Sequence, residues 1–186
     1  MRTLRLALLL ALPVLLGAGV PEASFAPEPG GFRMDDYNAP VPETLAGARV
    51  VDAAGVAEAM TAGAIVIDVL PAQRRPAAQP AGQPWLPLPR MEIPGSLWWP
   101  EVGRGGISAA LDAWFQQRLT AVTGGDRDRA VVFYCKAACW MSWNAAKRAV
   151  GYGYRRVLWF PGGTEAWAEA GSTMQKGTPE AVPVGE

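Results

Sequence analysis

Histidine is absent from the 186-residue sequence, and cysteine occurs only twice, at Cys135 and Cys139. Without an imidazole there is no Ser-His-Asp triad, no His general base and no His metal ligand. A charge excess is missing too: 17 Lys and Arg stand against 17 Asp and Glu, so no basic surplus supports nucleic-acid binding and no acidic block forms a tail. No internal repeat is present. The apolar run at the N-terminus, Leu6 to Leu16, is shorter than the ~20 residues a spanning helix needs. Half of the residues are nonetheless apolar, which is enough for one ordinary core and implies a single domain.

That short apolar run has a different meaning. Arg2 and Arg5 precede it, and Ser24-Phe25-Ala26 places small residues where a signal peptidase cuts. Residues 1–26 are therefore expected to be a secretory signal peptide, cleaved near Ala26, with a retained anchor as the alternative. The mature protein would be periplasmic or secreted, with no membrane span after cleavage. In an oxidising compartment its two cysteines could pair.

Residues 27–47 carry four prolines and Gly30-Gly31, the composition of an extended arm lying on the surface outside the core. Beyond it, strands and helices alternate. Residues 48–51 suit a short strand and 53–61 a helix. The apolar run 64–69 suits a buried strand carrying Asp68 near its end. Six prolines between Pro71 and Arg90 make that stretch irregular. Its Arg74, Arg75 and Arg90 are expected to be solvated. Ile93-Pro94-Gly95-Ser96 is a turn leading into a short aromatic strand. Ile107, Leu111, Trp114, Phe115, Leu119 and Val122 share one face of a helix over 108–122. Residues 156–160 form a further strand, Gly162-Gly163 opens a short helix with Trp167, and the polar tail 172–186 is expected to fray.

The stretch from Ala130 to Arg148 organises the rest. Residues 130–134 are apolar throughout, as in a strand buried on both faces. Helical spacing begins at Ser142, a residue type suited to N-capping. Cys135 thus falls where a buried strand ends, and its loop leads into a helix N-terminus. Ligand sites gather at that place in parallel α/β sheets, and backbone N–H groups there favour a thiolate. The expected fold is α/β: a mostly parallel central sheet with helices on both faces.

Several marks in this order resemble rhodanese-like domains, across about residues 48–171. They are the strand with Asp68, Ile93-Pro94-Gly95-Ser96, the strand-Cys135-loop-helix unit, Gly153-Tyr154, and Gly162-Gly163 with Trp167. The run Cys139-Trp140-Met141-Ser142-Trp143-Asn144 more narrowly resembles a secreted rhodanese-like group named for a Cys-x-x-Cys-Trp motif and associated with PQQ-dependent catabolism. Here Lys136, Ala137 and Ala138 make the spacing one residue longer. The resemblance implies sulfurtransferase-type chemistry, with a Cys135 thiolate accepting sulfane sulfur as a persulfide inside a loop of N–H groups that runs to Ser142. Asp68 would support the site as a strand-end hydrogen-bond acceptor. Where family loops commonly carry Arg, Trp140 or Met141 stands here, so Lys136 is the loop's only cation. Substrates would be a small sulfur donor or thiol, or the partner a periplasmic redox protein.

The residues also leave other chemistry open. Cys135 and Cys139 could cycle as a dithiol and disulfide, or bind a soft metal with Met141, or sit in a binding module without catalysis. Zinc is disfavoured by the lack of ligands, and no cofactor is expected. Trp140 and Trp143 are expected to serve packing. Because Cys135 is fixed by the strand, it is expected to have the lower pKa and to attack, while Cys139 resolves or tunes it.

Overall fold

The computed structural model describes residues 25–183. The leader expected over residues 1–26 lies almost wholly outside them. Among the described residues no helix is long and apolar enough to cross a membrane.

In chain order the elements are β1 (Ala48–Val50), α1 (Ala53–Thr61), β2 (Ile65–Asp68), β3 (Met91–Glu92), β4 (Leu97–Trp98) and α2 (Ala109–Thr123). After them come β5 (Val131–Tyr134), α3 (Trp140–Gly151), β6 (Val157–Phe160), α4 (Gly163–Glu169) and β7 (Gln175–Lys176). Five strands form one sheet in the order β1-β6-β5-β2-β4, and every pairing in it is parallel. β3 and β7 form a separate antiparallel pair.

β5 lies at the centre of the sheet, which is why all four of its residues are buried. Its side chains alternate between two cores, as the two-residue period of a strand requires. Val131 and Phe133 point with Cys135 into the larger cluster, where α2 adds Leu111, Phe115 and Leu119 and α3 adds Trp143. Val132 and Tyr134 face the second cluster, with Val56 of α1 and Trp167 of α4. Two helices therefore cover each face. The helix starts follow local chemistry: Asp52 caps α1 through the Gly55 N–H, and Ser108 caps α2 through the Leu111 N–H. Gly124 ends α2 in the left-handed conformation (φ 64°), where a side chain would be strained.

Register sets up the site. Asp68 pairs with Tyr134, and Tyr134 with Phe160, so three strands end level and Cys135 emerges among their C-termini.

Two expectations about the edges of the domain are corrected. The arm does not stay outside the core, because Val41 and Leu45 are buried in the larger cluster. The described part of the tail, residues 172–183, is not frayed: β7 pairs with β3, and the Glu180 carboxylate accepts from the Trp99 indole at 2.7 Å and from Arg118 at 2.9 and 3.0 Å. Polar composition hid these contacts, since one carboxylate facing an indole and a guanidinium is enough to pin a segment.

Candidate functional site

β5 delivers Cys135 to the floor of the site, fully buried. The loop then runs Lys136-Ala137-Ala138-Cys139, with Ala138 in the left-handed region (φ 50°). α4 backs the loop so closely that a Cβ on Gly163 would stand 2.4 Å from the Lys136 carbonyl carbon. Thr164 N–H donates to the Cys135 carbonyl at 3.2 Å.

The loop's N–H groups do not converge on Cys135 as expected. Ala137 N–H donates to the Glu165 carboxylate at 2.8 Å, Ala138 N–H to the Pro161 carbonyl at 3.1 Å, and Trp140 N–H to the Tyr37 carbonyl at 2.9 Å. Only the Lys136 N–H favours a charge on the Cys135 sulfur. Burial therefore dominates and pushes the Cys135 thiol well up, and its hydrogen bond to Cys139 and the negative charges of Cys139 and Asp68 raise it further.

Cys139 is the opposite case. It occupies the N-cap of α3, the position expected for Ser142. Ser142 instead lies in the first turn, fully buried. Its hydroxyl donates to the Cys139 carbonyl at 2.8 Å and accepts from the Trp159 indole N–H at 3.0 Å. The helix begins earlier than its polar signal because Trp140 and Trp143 are drawn into the core, edge to face at 5.4 Å. Cys135 acts as a hydrogen-bond donor to Cys139, and this is the main reason the Cys139 pKa falls to about 7 against burial. The N–H groups of Met141 and Ser142 and the charge of Lys136 help, although no side-chain cap hydrogen bond closes by strict geometry. These directions run against the expected order of the thiols: Cys135 is pushed up and Cys139 is pulled down. Both are free thiols, 0% and 2% exposed for Cys135 and Cys139.

Asp68 accepts, as expected at a strand end, from the Leu70 N–H at 2.9 Å. Its second oxygen pairs with Arg90 at 2.8 Å. Burial pushes the Asp68 carboxyl up, and the Arg90 charge pulls it partly back. Arg90 is not solvated like its loop neighbours Arg74 and Arg75, which are exposed. Its other end donates to the Cys135 carbonyl at 3.0 Å, so Asp68 holds the start of the cysteine loop through Arg90. Proline-rich sequence around Arg90 gave no sign of this, because the contact spans 45 residues.

Met141 packs in the larger core cluster. Trp140 and Trp143 do pack, and their indoles also donate to the carbonyls of Pro40 and Thr44. Among the described residues no three His, Cys, Asp or Glu side chains converge where a metal ion could sit. A cavity of about 700 Å³ is lined in part by Arg90, Trp98, Thr164 and Glu165, and neither thiol lines it.

Two outcomes follow from this geometry. Alkylation of the reduced protein, read by mass at each thiol, should rise with pH about a midpoint near 7 and fall on Cys139, because only the thiolate reacts and its fraction grows through that pKa. Ser142→Ala should cost about 1–3 kcal/mol in chemical denaturation, since the buried Trp159 N–H loses its acceptor.

No curated protein matches the chain. The rhodanese-like domain matches residues 52–170, from the N-cap of α1 to just past α4, and so covers the sheet from β2 onward, the cysteine loop and Arg90. The chain belongs to the rhodanese-like domain family.

Proposed function

We propose that this chain handles sulfane sulfur by sulfurtransferase-type chemistry, with Cys139 carrying the sulfur as a persulfide and Cys135 protecting it. The observation that carries the reading is the placement of the thiol pair: Cys139 stands at the N-cap of α3, where the Cys135 hydrogen bond draws its pKa down, while burial pushes the neighbouring Cys135 up. In the loading step the Cys139 thiolate attacks the outer sulfur of a donor R–S–SH. The new S–S bond forms on Cys139, the donor's S–S bond breaks, and R–S⁻ leaves, giving Cys139–S–SH. An acceptor thiolate then takes the outer sulfur and returns Cys139 to its thiolate.

Cys135 decides how long the carrier lasts. If the Cys135 sulfur attacked the persulfide, a Cys135–Cys139 disulfide would form and hydrogen sulfide would leave. Because burial pushes the Cys135 thiol up, it is the poorer nucleophile and the persulfide survives. Lys136 is the only cation the loop contributes, with Trp140 and Met141 where family loops commonly carry Arg. This favours a small persulfide donor over the thiosulfate dianion. Adjacent thiols also favour a second reading, a dithiol–disulfide redox pair.

Intact mass after treatment with a persulfide donor separates the two readings. Gain of one sulfur atom on reduced protein supports the carrier, and loss of two hydrogens without sulfur gain supports the redox pair. The leader features support export, which N-terminal sequencing of exported material checks at Ala26. The Cys139-Trp140 run supports a role beside PQQ-dependent periplasmic catabolism, with a small thiol or a periplasmic redox protein as the sulfur acceptor.

A further inference from the structure

The thiols are buried, yet the segment lying over the start of α3 is not. None of residues 29–40 is buried, and none belongs to either sheet. The ends of this segment are held together: the Ala26 N–H donates to the Val41 carbonyl at 3.3 Å, and Glu28 accepts from the Thr44 hydroxyl at 3.0 Å and the Ala46 N–H at 2.9 Å. Beyond those stems Val41, Pro42 and Leu45 are buried. The segment is therefore a compact surface loop on a fixed base, the kind of loop that often carries function.

Its contacts fall on the helix that Cys139 caps and on Gly105. Asn144, fully buried, reads the loop backbone at both polar groups of one residue, accepting from the Arg33 N–H at 2.9 Å and donating to the Arg33 carbonyl at 2.8 Å. Its amide also donates to the Gly103 carbonyl at 3.0 Å. The Tyr37 hydroxyl accepts from the Gly105 N–H at 2.9 Å, and Lys147 donates to the Pro29 carbonyl at 3.2 Å. The Arg33 guanidinium lies 5.4 Å from the Trp140 ring centre. Most telling is the Tyr37 carbonyl, which takes the Trp140 N–H at 2.9 Å. A backbone oxygen thus occupies the helix N-terminus immediately beside Cys139.

We propose that residues 29–40 are a strap that must lift from α3 before a sulfur donor reaches Cys139, with Asn144 as its latch. The inference rests on the thiol pair being the working site. Lifting the strap breaks hydrogen bonds, the Arg33–Trp140 and Arg148–Phe32 contacts and the packing of half-buried Tyr37 and Ala39, but it removes no strand, so it opens without unfolding the sheet. It also frees the Trp140 N–H beside Cys139.

The test is made on reduced full-length protein and reads alkylation of Cys139 by iodoacetamide together with hydrogen exchange at single amides. Asn144→Ala should speed alkylation at least tenfold and speed exchange of the Trp140 amide by the same factor, while the β5 amides stay unchanged. Tyr37→Phe lies on the strap itself, leaves the core intact and should show the same coupled effect at smaller size. Unchanged alkylation in folded Asn144→Ala and Tyr37→Phe overturns the strap, as does equal acceleration at β5, which would mean general unfolding. If Asn144→Ala does not fold, Tyr37→Phe decides alone by the same criteria. Sulfur loading tests the proposed function separately: coupled acceleration without sulfur gain keeps the strap and rejects the carrier, and sulfur gain without acceleration does the reverse.

Discussion

Cys139→Ser is expected to abolish sulfur loading near neutral pH, whereas Cys135→Ser should load at a rate within the same order of magnitude as the parent. The difference arises from what each sulfur touches. Removing Cys139 removes the thiolate that Met141, Ser142, Lys136 and Cys135 together stabilise, and a serine hydroxyl does not ionise there. Cys135 loses the raising effect of the Cys139 thiolate, but burial, the larger cause, still holds its pKa up, so it does not substitute. In Cys135→Ser a hydroxyl still donates to Cys139, and the persulfide should persist because the competing sulfur is gone. Cys135→Ala tests the same point from another side. Loss of the donor should raise the alkylation midpoint of Cys139 by about one pH unit, the usual worth of a hydrogen bond to a charged group. Mass spectrometry of the loaded proteins and pH-resolved alkylation read these outcomes. Loading of Cys139→Ser at the parental rate would return the attacking role to Cys135.

Asp68→Ala is expected to lower stability by about 3–5 kcal/mol, the cost of stranding one partner of a buried ion pair. Asp68 has no exposure, and the Arg90 side chain is only 13% exposed, so the guanidinium left behind gains little solvent. The Leu70 N–H would lose its acceptor as well. Such a loss is a large share of the ~5–15 kcal/mol that holds a typical domain together. It should appear in urea as a lower midpoint with an unchanged slope. Asp68→Asn keeps an oxygen for Leu70 but not the charge facing Arg90, and should fall between Asp68→Ala and the parent. Arg90 would also lose the group that aims it at the Cys135 carbonyl, so the start of the cysteine loop should loosen. A midpoint unchanged in Asp68→Ala would mean that the pair adds nothing to stability.

Much of this molecule is written in local pattern. The unbroken apolar run at Val131–Tyr134 needs burial on both faces, and only a central strand offers it. The face from Ile107 to Val122 marks its helix because that signal is satisfied within a few residues. Placing Cys135 at a strand end required no more than the change of period after Tyr134. The parallel order of the sheet then followed from alternating strands and helices.

What local pattern did not reach were contacts between segments far apart in the chain. Ser142 has the chemistry of a cap, but two tryptophans pulled the helix start back to Trp140, and the hydroxyl went to Trp159 instead. The directions of the two thiol pKa values follow first from burial of Cys135 and from its hydrogen bond to Cys139, and the loop N–H groups that could have offset this are claimed by Glu165, Pro161 and Tyr37 from two distant parts of the chain. Arg90 reaches Asp68 across 22 residues and Cys135 across 45. Asn144 meets Arg33 across 111. Spacing along a sequence reports which side chains share a face of one element. It carries no record of which distant carbonyl will meet a given N–H, and here that decided which N–H groups of the cysteine loop are taken and how residues 29–40 are held to α3.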